Sequence, residues 1–263
     1  MPDEEKQEIK KRKQGPGFIY GNYNRYYGYR VNNKSKEDPR LSVMKREWFE
    51  NKDCLDIGCN EGVITIDIAQ KFSCRRILGV DIDNSLVAMA WRNLKIVASA
   101  SDNCQKDAAG LQNFPNGSSD GKKKPSVSRR RGLLEKVSFE SGNFLEDLCP
   151  GKEKYDTILC LSVTKWIHLN WGDDGLTTLF SKIWQLLRPG GILLLEPQPW
   201  KSYESKRRVS EVTSSYFGSI RFSPDLFPDI LLDKIGFRTM ETISNNLPGT
   251  VAGFNRPIYI YTK

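Results

Sequence analysis

The stretch Cys54-Leu55-Asp56-Ile57-Gly58-Cys59-Asn60-Glu61-Gly62, followed downstream by Val80-Asp81-Ile82-Asp83, constrains this chain most. An apolar run that ends in a glycine-punctuated turn and opens into a helix puts backbone N–H groups where a ligand can lie flat against them. An acid at the end of the next strand then comes within reach of a ribose hydroxyl. The glycines read Gly58-x-x-x-Gly62, not G-x-G-x-x-G, so there is no tight pyrophosphate cradle. A nucleoside ligand without phosphates, such as S-adenosylmethionine, suits this better than a dinucleotide. The competing reading is a plain strand-to-helix turn whose glycines serve packing alone.

From residue 53 onward, short apolar runs alternate with helical patterns. The strand-like runs are Cys54–Ile57, Ile77–Asp81, Val137–Glu140, Tyr155–Leu161 and Ile192–Glu196, with helical patterns at Val63–Lys71, Ser85–Val97 and Gly175–Leu187. Such alternation predicts an α/β fold with a mostly parallel, doubly wound sheet covered on both faces. Leu187-Arg188-Pro189-Gly190-Gly191 marks a helix end. The tail offers a helix near Pro224–Ile235 and a closing hairpin, Arg238–Ile243 with Pro257–Tyr261. An antiparallel last strand on a parallel sheet is the shape of a Rossmann-like methyltransferase; another doubly wound fold is the alternative.

Two segments break the pattern. Residues 1–17 form a charged N-terminus with the basic cluster Lys10-Lys11-Arg12-Lys13, expected to be disordered ahead of one domain over 18–263. Residues 99–131 are rich in Ser, Asn, Gly and Asp and end in two basic triplets, 122–124 and 129–131. That composition cannot bury a core and predicts a disordered surface insertion. The triplets read as a nuclear-import signal, as an RNA-contacting loop or as a solvated charge run. A nuclear location is expected from them, otherwise a cytoplasmic one. No run approaches the roughly eighteen apolar residues of a membrane span. The six cysteines include no C-x-x-C pair and there is one histidine, so neither disulfides nor a metal site is expected. The net charge of +8 suits a polyanionic partner.

Three segments carry candidate chemistry. Tyr20-Gly21-Asn22-Tyr23-Asn24-Arg25-Tyr26-Tyr27-Gly28-Tyr29-Arg30 supplies stacking rings and forked donors for phosphate oxygens, unless it is only an aromatic linker. After the fourth strand, Lys165 opens a helix that puts His168 on the same face, with Asn170 beyond. Together they form an anion-holding edge, although His168 alone reads as structural. Glu196-Pro197-Gln198-Pro199-Trp200 is a stiff turn that suits a pocket wall.

As a set, YGNYNRYYGYR, LDIGCNEG, GVDID, LCLSVTKWIHLNWGD, LRPGGILLLEPQPW and GFNRPIY resemble the Bicoid-interacting family of RNA methyltransferases, from about Phe18 to the C-terminus. The likeness is greatest to the branch that methylates the terminal phosphate of small nuclear RNA. It implies S-adenosylmethionine as cofactor, held at Tyr27, Arg40, Gly58, Cys59, Asn60, Asp81, Ile82, Asn143, Phe144 and Leu161. Asp81 would hold the ribose, and Asn143 and Phe144 the adenine. It places Tyr26, Arg30, Lys165 and His168 near the RNA phosphates as the catalytic group, with Arg256 beside them. The implied partner is a small non-coding RNA with a 5′-phosphate end, with ribonucleoprotein components in attendance and the chain itself a monomer.

The expected reaction moves a methyl group to the γ-phosphate of a 5′-triphosphate RNA. A terminal phosphate with a second pKa near ~6 carries its nucleophilic oxygen at neutral pH, which explains why no acid–base dyad stands out. The rivals are methylation of a 5′-monophosphate, a low-turnover RNA-binding scaffold and, less well supported, a small-molecule methyltransferase that would leave the Tyr/Arg segment without a task.

Overall fold

Short apolar strands with no polar face must be covered from both sides, and the chain does this with helices on each face of one sheet. The computed structural model describes residues 18–23, 26, 37–109, 127–146, 151–244 and 255–263. Tyr27, Arg30, the charged N-terminus and residues 110–126 of the expected insertion lie outside these. The elements are β1 (Asp53–Ile57), α1 (Val63–Phe72), β2 (Arg76–Asp81), α2 (Asn84–Ala109), α3 (Val127–Lys136), β3 (Val137–Ser141), β4 (Tyr155–Leu161) and α4 (Thr164–Leu186). Then follow β5 (Leu187–Glu196), α5 (Trp200–Lys206), α6 (Glu211–Ser219), β6 (Thr239–Ser244) and β7 (Ile258–Thr262).

Among the described residues the sheet has seven strands in the order β3-β2-β1-β4-β5-β7-β6. Strands β1 to β5 pair in parallel, while β7 runs antiparallel to both β5 and β6. Side chains alternate between two cores, as the period of a strand requires. Cys54, Leu159, Leu161 and Leu194 join Ile64, Ile68 and Leu94 of α1 and α2 on one face. Leu55, Ile158, Cys160, Leu193 and Leu195 join Leu179, Phe180 and Ile183 of α4 on the other. Cysteines 54, 59, 74 and 160 are buried and outside any disulfide.

Several elements differ from the sequence expectation. The helix expected at Gly175–Leu187 is the second half of α4, which opens at Thr164 and bends at Gly172 (φ 65°, ψ −165°). Leu187 to Gly191 begin β5 as an irregular ladder, whose pairs jump from Tyr155–Leu187 to Thr157–Ile192. Helix α2 runs to Ala109 and α3 starts at Val127, so helix enters the 99–131 segment from both ends. Pro224–Ile235 is a run of short turns: a 3-10 turn, one α-helical turn and a π-helical turn at Ile230–Ile235. Helices α5 and α6 were not anticipated, because their serine-rich sequence has little apolar periodicity. Helix α6 is instead started locally by a capping box, Ser210 Oγ accepting from the Thr213 amide at 3.1 Å and Thr213 Oγ1 from the Ser210 amide at 3.0 Å.

Phe180 is fully buried and meets Phe227 edge-on at 5.4 Å between ring centres. Phe180→Ala is expected to lower the unfolding free energy by about 3–5 kcal/mol, measured by urea denaturation with an unchanged slope. A loss below ~1 kcal/mol would contradict the packing of α4 on the sheet.

Candidate active site

The loops leaving the carboxyl ends of β1 to β5 converge on one cavity of about 510 Å³. The first is stitched to β2: the Gly58 and Cys59 amides both donate to the Val80 carbonyl, at 2.7 and 3.0 Å. Gly58 has φ 75°, and a Cβ there would lie 2.4 Å from Val163 Cγ2, so glycine is required on both counts. Asn60 (φ 51°) turns its amide onto Asp81 Oδ2 at 2.8 Å, while Asp81 Oδ1 accepts from the Asp83 amide at 3.0 Å. Burial pushes the Asp81 carboxyl up, and these amide bonds pull against it. The two acids of the Val-Asp-Ile-Asp motif thus divide their work. Asp81 lines the cavity, whereas Asp83 caps α2 by accepting from the Ser85 amide at 2.8 Å. Asp83 also accepts from Asn22 Nδ2 at 2.6 Å.

Tyr20 to Tyr23 also line the cavity. Asn170 Nδ2 donates to the Ile19 carbonyl at 2.8 Å, Asn60 Nδ2 to the Tyr23 carbonyl at 3.2 Å, and Tyr20 stacks on Trp171 at 5.6 Å. Gly21 presses on the indole of Trp166, where a Cβ would come within 2.0 Å of Nε1. The Asn60 side chain is buried and its Oδ1 has no hydrogen-bond partner, which leaves an acceptor in the cavity wall.

Of the residues expected from sequence, Tyr26, Gly58, Asn60, Asp81, Ile82, Asn143, Phe144, Leu161, Lys165 and Arg256 line this cavity. Cys59, Arg40 and His168 are elsewhere. Cys59 is buried in the core beneath the loop. Arg40 is buried between Asp38 Oδ2 at 2.7 Å and Glu196 Oε2 at 3.0 Å. Burial acts most strongly on its guanidinium and disfavours the charge, yet the two carboxylates outweigh it and hold the pKa above the ordinary range. His168 is fully buried against Tyr203, Phe222 and Phe227, with Nε2 2.8 Å from Asp173 Oδ1. Asp173 follows the bend at Gly172, so this pair holds the two halves of α4 together.

The positive wall is the chemically distinctive part. Lys165 is 5% exposed; its Nζ donates to Ser202 Oγ at 2.9 Å and lies 4.3 Å from the Trp166 ring centre. Burial, then the charges of Arg256 and Lys206, push its pKa down to about 7. Arg256 donates to Ser162 Oγ at 3.0 Å, and Lys206 lies over the Tyr23 ring at 5.6 Å. Gln198 Oε1 accepts from the Lys165 amide and from Thr164 Oγ1, each at 3.2 Å, which fixes the start of α4. Ser162, Ser202 and Lys206 were not singled out from sequence. Lys206 and Ser202 belong to α5, whose helix left no periodic signal, and Gln198 was visible only as part of a stiff turn.

Comparison with known proteins gives concordant matches. The chain matches the family described as Bicoid-interacting protein 3 (Bin3) over residues 155–263, and a methyltransferase domain over residues 55–193. The Arabidopsis thaliana protein named "Probable RNA methyltransferase" is 52% identical over 96% of this chain and 83% of its own length. The human 7SK snRNA methylphosphate capping enzyme is 37% identical over 96% of this chain, which spans 40% of that enzyme. A solved Nostoc punctiforme protein described as an O-methyltransferase superimposes with a TM-score of 0.51 at 17% identity, over 86% of this chain and 55% of that one. At that identity the likeness shows the fold alone.

The depressed Lys165 pKa has a thermodynamic consequence. Between about pH 7 and the ordinary lysine value near ~10.4, Lys165 is neutral in the folded chain and charged in the unfolded one. The unfolded state then binds the extra proton, so this residue's contribution to stability rises with pH through that window. Urea midpoints of the wild type minus those of Lys165→Met should therefore climb between pH 7 and 10. Parallel curves would contradict a buried, depressed lysine.

Proposed function

The chain belongs to the Bicoid-interacting protein 3 family of methyltransferases, and on that premise we propose that it methylates the 5′-terminal phosphate of a small non-coding RNA. The observation that carries this is the group of cations Lys165, Arg256 and Lys206, which lines one cavity together with Gly58 and Asp81. A phosphate terminus is the anion that such a group of cations takes best. We take a 5′-triphosphate as the substrate, with transfer to the γ-phosphate, in keeping with a human relative named a methylphosphate capping enzyme. Methylation of a 5′-monophosphate is the second reading, since the same cations serve a shorter phosphate chain. The small nuclear RNA in that relative's name supports a nuclear place of action.

S-adenosylmethionine fits the remaining wall. Asp81 offers a buried carboxylate for ribose hydroxyls, Phe144 and Ile82 an apolar bed, and Asn60 an unpartnered Oδ1. When bound, it supplies a methyl group on a positively charged sulfur. The protein's own residues do the rest. Lys165 and Arg256 hold non-reacting phosphate oxygens, Tyr26 lines the approach, and the Tyr20–Tyr23 segment keeps bulk water from the attacking oxygen. A phosphate with its second pKa near ~6 is already ionised, so no side chain has to remove a proton. Bringing the anion beside Lys165 restores that lysine's charge.

The test is methyl transfer from labelled S-adenosylmethionine to one hairpin RNA bearing a 5′-triphosphate, monophosphate or hydroxyl, read by mass spectrometry of the 5′ nucleotide. Label on the γ-phosphate is expected; label confined to the monophosphate RNA selects the second reading. RNA binding with label on none of the three would make the chain a scaffold. Lys165→Ala should lower kcat/KM by about 10²–10³-fold while S-adenosylmethionine still binds by calorimetry. Loss of both together would contradict the assignment of Lys165 to the phosphate.

A further inference from the structure

We infer that Ser162 and Glu196 are positioning residues that aim Arg256 at the substrate phosphate, and that buried Arg40 holds Glu196 for that task. The inference rests on the phosphate-binding role proposed above for Arg256. Ser162 follows the last residue of β4, and its amide donates to the Glu196 carbonyl at 2.9 Å, so the ends of β4 and β5 are tied together. Its Oγ lies 2.7 Å from Glu196 Oε2, which is fully buried, and 3.0 Å from an Arg256 guanidinium nitrogen.

The donor count fixes the direction of this chain. A hydroxyl has one proton, and a carboxylate and a guanidinium have opposite needs. The Ser162 proton goes to Glu196, which leaves only lone pairs facing Arg256. Glu196 Oε2 also accepts from Arg40 at 3.0 Å, and Arg40 is in turn held by Asp38. Arg40 thus pairs a cation with a carboxylate that has no exposed surface. Arg40, expected from sequence to touch the cofactor, reaches the cavity-lining Ser162 through Glu196 alone.

The backbone at Ser162 supports a role for its hydroxyl. Its φ of +65° is a conformation that favours glycine, yet the residue there carries a side chain. Gln198 caps the arrangement by donating its amide to the Ser162 carbonyl. The whole chain from Asp38 to Arg256 therefore spans an N-terminal turn, two strand ends and the segment before β7.

The experiment is a double-mutant cycle on the full chain with Ser162→Gly, Arg256→Ala and the pair, reading kcat and KM for 5′-phosphorylated hairpin RNA. Glycine suits the +65° backbone, so Ser162→Gly removes the hydroxyl without adding strain. Ser162→Gly should lower kcat/KM by about 10- to 100-fold, the worth of a hydrogen bond to a charged group. In the Arg256→Ala background the same change should cost less than about twofold, and S-adenosylmethionine affinity should be unchanged throughout. Multiplying effects, or no effect of Ser162→Gly, would overturn the inference. If the wild type transfers no methyl group to any RNA, the proposed function falls instead. The same four proteins are then compared by affinity for 5′-triphosphate RNA, where coupled losses support the relay and independent ones overturn it.

Discussion

A lysine buried beside other cations is the constraint around which the site is organised. Lys165 opens α4 within the cavity wall, and the charges that bear on it most, Arg256 and Lys206, are both positive. Desolvation and like charge each disfavour its protonated form. Such an arrangement persists in a folded protein when the surrounding structure holds it firmly, and a bound anion reverses its energetics. Gln198 on the first turn of α4, Ser202 on the ammonium and Trp166 beneath it are the restraints here.

The sheet provides the other half of the site. Parallel strands end at one edge, so the loops after β1 to β5 meet there without further instruction. Stitching of the Gly58 and Cys59 amides to Val80 brings the first loop against the second, and Asp81 then braces it through the Asn60 amide. The acidic side of the cavity and its cationic side are carried by different strand ends. A cofactor with ribose hydroxyls and an anionic acceptor can therefore enter one cavity without competing for the same groups. The Asp38–Arg40–Glu196–Ser162 chain belongs to the cationic side and links it to a turn remote in sequence.

The strands and the parallel order were legible because each is a short apolar run with a clear boundary, and much of the cavity lining lies in the loops that follow them. Gly58, Asn60, Asp81, Asn143 and Phe144 all line the one cavity. What could not be read is where a side chain points when its neighbours come from elsewhere in the chain. Arg40 looks like a ligand contact until Glu196, from β5, is seen to claim it. His168 shares a helical face with Lys165, yet the bend at Gly172 turns Asp173 onto it and the rings of Tyr203, Phe222 and Phe227 enclose it. Helix α5, which brings Ser202 and Lys206 to the wall, has no apolar stripe because most of it faces outward, and only Tyr203 is buried.

The most direct test of a cation wall built for phosphate is the number of protons taken up when RNA binds. Calorimetry at pH 8 in two buffers of different ionisation enthalpy would give that number for a 5′-triphosphate hairpin and its 5′-hydroxyl counterpart. With the Lys165 pKa pushed down to about 7, the phosphorylated RNA should bind with uptake approaching one proton and the hydroxyl RNA with none. Equal affinity for the two RNAs, or no proton uptake with either, would contradict the account.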